Sequence, residues 1–269
     1  MGTVFFYTVR ESLSRVTGLV LVLVSSVAAG AYIYTVEFQR APDGTLLMSS
    51  PAHPWEPVAT AALWKFEVLF QQTGGLWFFL GIFATASLLT SYLEKGWAEM
   101  LFSKGVTRAE LLLGRYFGAL GLFFLAVVAL DLPPAAYLWI RAGVSPKPFL
   151  VSLALLLLSF AALLALMTLA AVLYPHPALP IMAGFLQIFF SVLLAQRDLR
   201  LYDVITWKWA QGVVDWVYRL LPKTREVEEI GLAFIRTGHI ENWWPIWSTA
   251  LFLAGTLGAA YWLLRRKDF

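Results

Sequence analysis

The chain has no cysteine and little charge. Without cysteine there is no disulfide, no thiolate metal site and no thiol nucleophile. Charged residues fill only 14% of the 269 positions. A soluble domain carries about 25%, so the charge here is too sparse to cover a water-facing surface. The three histidines, His53, His176 and His239, lie far apart with no second ligand at metal-binding spacing, so no metal site is expected. No HExxH, GxSxG or GxxxxGK[ST] motif occurs. Zinc proteolysis, serine hydrolysis and P-loop ATP hydrolysis by this chain are therefore not expected. A net charge of +3 is no nucleic-acid signal.

What is present is apolar. Hydrophobic residues make up 59% of the chain, mean hydropathy is +0.71, and 12 Trp, 10 Tyr and 20 Phe supply material for aromatic belts. Six stretches approach the roughly 20 apolar residues that a spanning helix needs: 16–36, 74–92, 111–132, 149–173, 178–195 and 245–264. At membrane depth each backbone amide must bond within its own segment, so these are helices. The expectation is an all-α polytopic membrane protein, a single transmembrane domain over 1–269. The third span should fade at Asp131-Leu132-Pro133-Pro134, because proline breaks a helix interior. Before the first span, Phe5, Val9, Leu13 and Val16 share one helical face, which predicts an N-terminal helix lying in the headgroup plane. Arg10, Arg15 and Ala29-Gly30-Ala31 give this region a signal-peptide flavour. The apolar run, however, exceeds the 7–15 residues of a signal core.

Lys and Arg in the short loops set orientation. The N-terminal segment, the 91–115 stretch and the tail hold nine basic residues, against Arg40, Lys65, Arg141 and Lys147 in the short segments opposite. Both termini are therefore expected in the cytoplasm, with the chain in a prokaryotic inner membrane. Two segments then lie outside. In 50–73, Pro57 opens a helix bearing Ala61, Leu63, Phe66 and Phe70. In 196–244, apolar residues from Leu201 to Leu220 recur at helical spacing, and Leu221-Pro222-Lys223-Thr224 separates them from a second helix. This external helical hairpin either rests on the outer leaflet or caps a substrate path.

Few polar side chains fall within the spans. Asp131 is a helix-end residue or a proton or ion site, and Gln187 is interhelical glue or a substrate contact. Both stand as candidate substrate-path residues. Glu228-Glu229 followed by Arg236 faintly resembles the paired-glutamate motif of CAAX-type intramembrane proteases, but the Arg is too distant and the helix is not a span.

The segment between spans two and three is the most patterned. Trp97, Met100 and Leu101 share a face of a short amphipathic helix, and Gly105 can turn the chain. Thr107 with Glu110 makes a capping box. Together they form a structured elbow over 93–110. Glu94, Gly96, Glu99, Leu101-Phe102-Ser103, Val106-Thr107-Arg108 and Glu110-Leu111-Leu112-Leu113-Gly114-Arg115 resemble the cytoplasmic segment of ABC-2 type transporter permeases. The family's turn proline is Gly105 here. The resemblance extends to the N-terminal helix, the six spans, the external helices and the Arg265-Arg266-Lys267 ending.

The resemblance implies a transmembrane half-transporter, not itself an ATPase, that pairs with a second permease chain, identical or related, in contact with membrane lipid. Two cytoplasmic ABC ATPase subunits would bind ATP and Mg, and this chain would hold no cofactor. Glu94, Gly96, Trp97, Glu99, Met100, Leu101, Gly105 and Arg108 would form the ATPase-coupling surface. The alternative is a mechanotransmission or scaffold subunit that acts on an external or periplasmic protein without moving a substrate.

Overall fold

The computed structural model describes residues 2–14, 16–50, 53–93, 103, 105–197, 202–204 and 207–267. Helix α1 (Gly2–Ser14) precedes α2 (Val16–Tyr34). A three-stranded antiparallel meander follows: β1 (Glu37–Arg40), β2 (Leu46–Ser50) and β3 (His53–Pro57). Next come α3 (Val58–Gln72), a π-helical segment (Thr73–Trp77) and α4 (Phe78–Thr90). The remaining long helices are α5 (Arg108–Ala142), α6 (Lys147–Leu173), α7 (Ala178–Ala195), α8 (Lys208–Leu220), α9 (Thr224–Thr237) and α10 (Trp244–Arg266). Six stretches are long and apolar enough to cross a membrane: α2, α3–α4 as one helix, α5, α6, α7 and α10. The chain is a multi-pass α-helical membrane protein.

Chain alternation gives the bundle two ends. Leu93, Arg108, Tyr174 and Arg266 mark the elbow end, and the β-meander with the Gly143–Pro146 turn marks the sheet end. The α3–α4 helix, α5 and α6 form the centre, while α2, α7 and α10 are peripheral. At the core, the Phe123 and Phe160 rings stack at 3.6 Å between centroids, with Phe78 edge-on to both. Tyr116 donates to the Ala161 carbonyl at 2.8 Å, fastening α5 to α6.

Three expectations need correction, and one element has no counterpart in the sequence reading. The region before α3 holds the β-meander, with Glu37 opposite Ser49 and Arg40 opposite Leu46. Its strands are too short and too rich in polar residues and proline to show a period-2 pattern in sequence. The helix from Pro57 is not separate from the second span. It flows into it through Thr73–Trp77, where the π-turn absorbs an extra residue without breaking the helix.

The third span does not end at the prolines, since α5 runs through Pro133 and Pro134 to Ala142. Proline inside a membrane helix persists where neighbouring groups satisfy the freed backbone, and here Pro134, Ala135 and Leu138 are packed inside the protein. Finally, α1 packs lengthwise on α5, with Val4 over Gly114 and Thr8 over Gly118. Its buried stripe is Val4, Thr8 and Ser12, while Leu13 and Val16 are exposed. Small residues win this face because a Cβ at Gly118 would lie 2.5 Å from Thr8.

Candidate functional site

Glu94, Gly96, Trp97, Glu99, Met100 and Leu101 lie outside the described residues. The exit of the elbow is described. Gly105 has φ 79°, a left-handed conformation that glycine adopts without a Cβ clash. Thr107 then caps α5: its hydroxyl accepts from the Glu110 amide at 3.2 Å, and Glu110 accepts from the Thr107 amide at 3.1 Å. This is the reciprocal box anticipated from the sequence. Arg108 reaches across to α10 and donates to the carbonyls of Leu264 and Arg265 at 2.9 and 2.6 Å. Both carbonyls lie in the last turn of a helix, where carbonyl groups have few internal donors; Leu264 also accepts from the Lys267 amide at 3.4 Å. Lys267 donates to the Val172 carbonyl at 2.6 Å, joining α10 to α6. Arg115, one of the basic residues counted above for orientation, is buried and ion-paired with Glu11 of α1. The elbow exit is thus bonded into α1, α5, α6 and α10.

At the other end, α9 enters the bundle. Ser152 of α6 donates to the Gly231 carbonyl at 2.7 Å, and Ser159 lies 3.5 Å from the Thr224 carbonyl. α9 therefore runs antiparallel to α6, with its N-terminus deepest. Ser191 of α7 holds that N-terminus, accepting from the Thr224 hydroxyl at 2.7 Å and the Arg225 amide at 2.8 Å. At the far end Arg236 grips Glu67 of α3, with Nε at 2.6 Å. Of the two hairpin helices, only α8 has no buried residue. For α9 the picture of a helix resting on the leaflet is corrected: Val227, Gly231 and Ile235 are buried. The cause is the small-residue contact between Gly231 and Phe70 together with the serine anchors.

Gln187 donates to the Pro222 carbonyl at 3.2 Å, so it holds the tip of the hairpin. Beside that tip, Lys223 is buried with no hydrogen-bond partner for Nζ among the described residues. Its ammonium lies 4.5 Å from the Tyr218 ring centroid, and burial pulls it below the ordinary lysine range. Arg197 covers the same ring at 3.5 Å and faces Asp215 and Glu226 at 3.6 and 3.9 Å.

Asp131 is fully buried, with the Thr73 hydroxyl 3.0 and 3.1 Å from its oxygens. It joins α5 to the π segment instead of reaching an interface. His176 accepts from the Ala178 amide at 3.2 Å, as a turn residue would. Among the described residues no three His, Asp or Glu side chains gather as metal ligands.

Between the π segment, α7 and α9 lies a cleft of about 420 Å³. Its walls include Phe70, Phe78, Ile188, Val192 and Leu232, and its polar side carries Arg225 and Glu228. Neither Asp131 nor Gln187 lines it. Glu228 is pushed up to about 7 by burial, with Arg225 at 3.4 Å pulling the other way. Sequence reasoning missed this site. The available signals were Gly74-Gly75 within an apolar run and the shared face of Gln187 with Ser191, four residues apart.

The fold defines a helical, multi-pass membrane protein in which α9 packs into the bundle and lines a cleft. The chain matches no protein-family model and no curated protein.

Proposed function

We propose that the chain is the permease subunit of an ATP-binding cassette transporter of the ABC-2 type. It would move a substrate outward across the cytoplasmic membrane, using ATP hydrolysed by separate nucleotide-binding subunits. In this reading the elbow end is cytoplasmic, and the sheet end with the cleft faces outward. The observation that carries the reading is the mechanical bonding of the elbow exit. The Thr107–Glu110 box, the Arg108 bonds to α10 and the Glu11–Arg115 pair tie α1, α5 and α10 together. They do so where the sequence resembles an ATPase-docking segment. A push there is delivered to several spans at once.

Trp97, Met100 and Leu101 would be the apolar anchors on the ATPase, flanked by Glu94, Glu99 and Arg108. Mechanotransmission to an external partner would have to work through α8, which has no buried residue, because α9 is packed within the bundle.

The test is to search beside the gene for a P-loop ABC ATPase and to reconstitute the chain with it. Leu101→Asp should abolish stimulated ATPase activity while the protein still inserts. Unchanged stimulation by this variant would overturn the coupling assignment.

A further inference from the structure

The cleft beside α9 owes its space to a glycine pair. Nothing lies within 4 Å of where a Cβ on Gly75 would stand, so this stretch of the π segment leaves the wall open. A volume of about 420 Å³ falls within the range of small-molecule sites. The walls are mainly apolar, with two phenylalanines, Phe70 and Phe78.

The charges are unbalanced. Arg225 and Glu228 are the charged residues of the lining. Arg225 must serve two carboxylates, Glu229 at 3.1 Å and Glu228 at 3.4 Å. Its closer contact is to Glu229, which is the more exposed of the two acids. Glu228, the more buried and more loosely paired of the two acids, therefore places inside the cleft a carboxyl group that a second cation can meet when it is ionised. Its second oxygen, Oε1, lies 3.5 Å from where a Gly74 side chain would begin. An anion would find the opposite situation. The first donors of α9, the Thr224 hydroxyl and the Arg225 amide, are already taken by Ser191.

We infer that this cleft binds an amphiphile with a cationic head and an apolar body, the head seated against Glu228 and the body against the phenylalanine wall. Opposite charge satisfies the carboxylate, and aromatic faces also attract cations. Within the transport reading this names the substrate class. Binding does not require the ATPase, so its failure is separable from a failure of coupling.

Tetraphenylphosphonium and tetraphenylborate have matched shape and opposite charge. Each would be titrated into the full-length chain in phosphatidylcholine nanodiscs, with protein-free nanodiscs subtracted. Saturable, protein-dependent binding of the cation alone is expected. Glu228→Gln should weaken it by roughly tenfold, equivalent to one pKa unit of pairing. Gly75→Phe should abolish it, with the thermal unfolding midpoint unchanged. Because Glu228 titrates at about 7, the wild type should bind the cation more tightly at about pH 8 than at about pH 6, and Glu228→Gln should lose that dependence. Absence of saturable cation binding, equal binding of the borate, or wild-type affinity in both variants would overturn the inference.

Discussion

Glu228 shows how a single side chain links site and stability. Its folded value of about 7 stands above the ordinary 4.5 because burial penalises the charge. The folded state therefore holds this proton more tightly than the unfolded chain. Its contribution to stability is full below about 4.5 and is lost as pH rises through about 7. Thermal unfolding followed across that window should show a decline in the wild type that Glu228→Gln flattens.

Asp131 depends on a different neighbour, since Thr73 is its hydrogen-bonding partner. Thr73→Val should lower stability by about 1–3 kcal/mol, the cost of a buried polar group left unsatisfied. Denaturation in detergent would measure it. Both residues stand out as polar in the sequence, but their partners are 3 residues away in one case and 58 in the other.

Among the elements, α1 and the elbow exit depend on close approach and on backbone conformation. Gly118→Leu would push α1 off α5, because the nearest Thr8 atoms leave no room for a side chain. A loss of about 1–3 kcal/mol or more is expected from such overpacking, read as a lower unfolding midpoint. Gly105→Pro is the more telling change. Proline occupies the corresponding turn in the family the elbow resembles, yet its ring holds φ near −65°, while Gly105 sits at 79°. The substitution should therefore reduce ATPase stimulation in the reconstituted complex.

The capping box and the span cores were legible because caps and apolar runs are local patterns. The continuity of α3 with α4 and the passage of α5 through two prolines were not. Each depends on neighbours that satisfy the backbone where a local rule predicts a break.

For the whole molecule, α9 forms one wall of the cleft, moored by Ser191 at one end and Glu67 at the other. The chain has no native cysteine, so a Glu67→Cys and Arg236→Cys pair bridged by a short bismaleimide would tie α9 to α3 alone. If the chain transports through this cleft, the bridged protein should lose substrate movement while each single variant treated with the reagent retains it. Transport at the wild-type rate after bridging would show that α9 need not move.

By itself the sequence determined the membrane class, the number of spans, the capped start of α5 and the helical nature of the hairpin. All of these follow from composition and from spacing within a single segment. Only the tertiary structure decided that α9 enters the bundle, that α1 rides along α5, and that Glu228 faces a cleft floored by Gly74 and Gly75. The physical reason is that these features are contacts between segments remote in the chain. Whether a helix lies on a leaflet or inside a bundle depends on small-residue contacts such as Gly231 against Phe70 and on serine bonds such as Ser152 to Gly231.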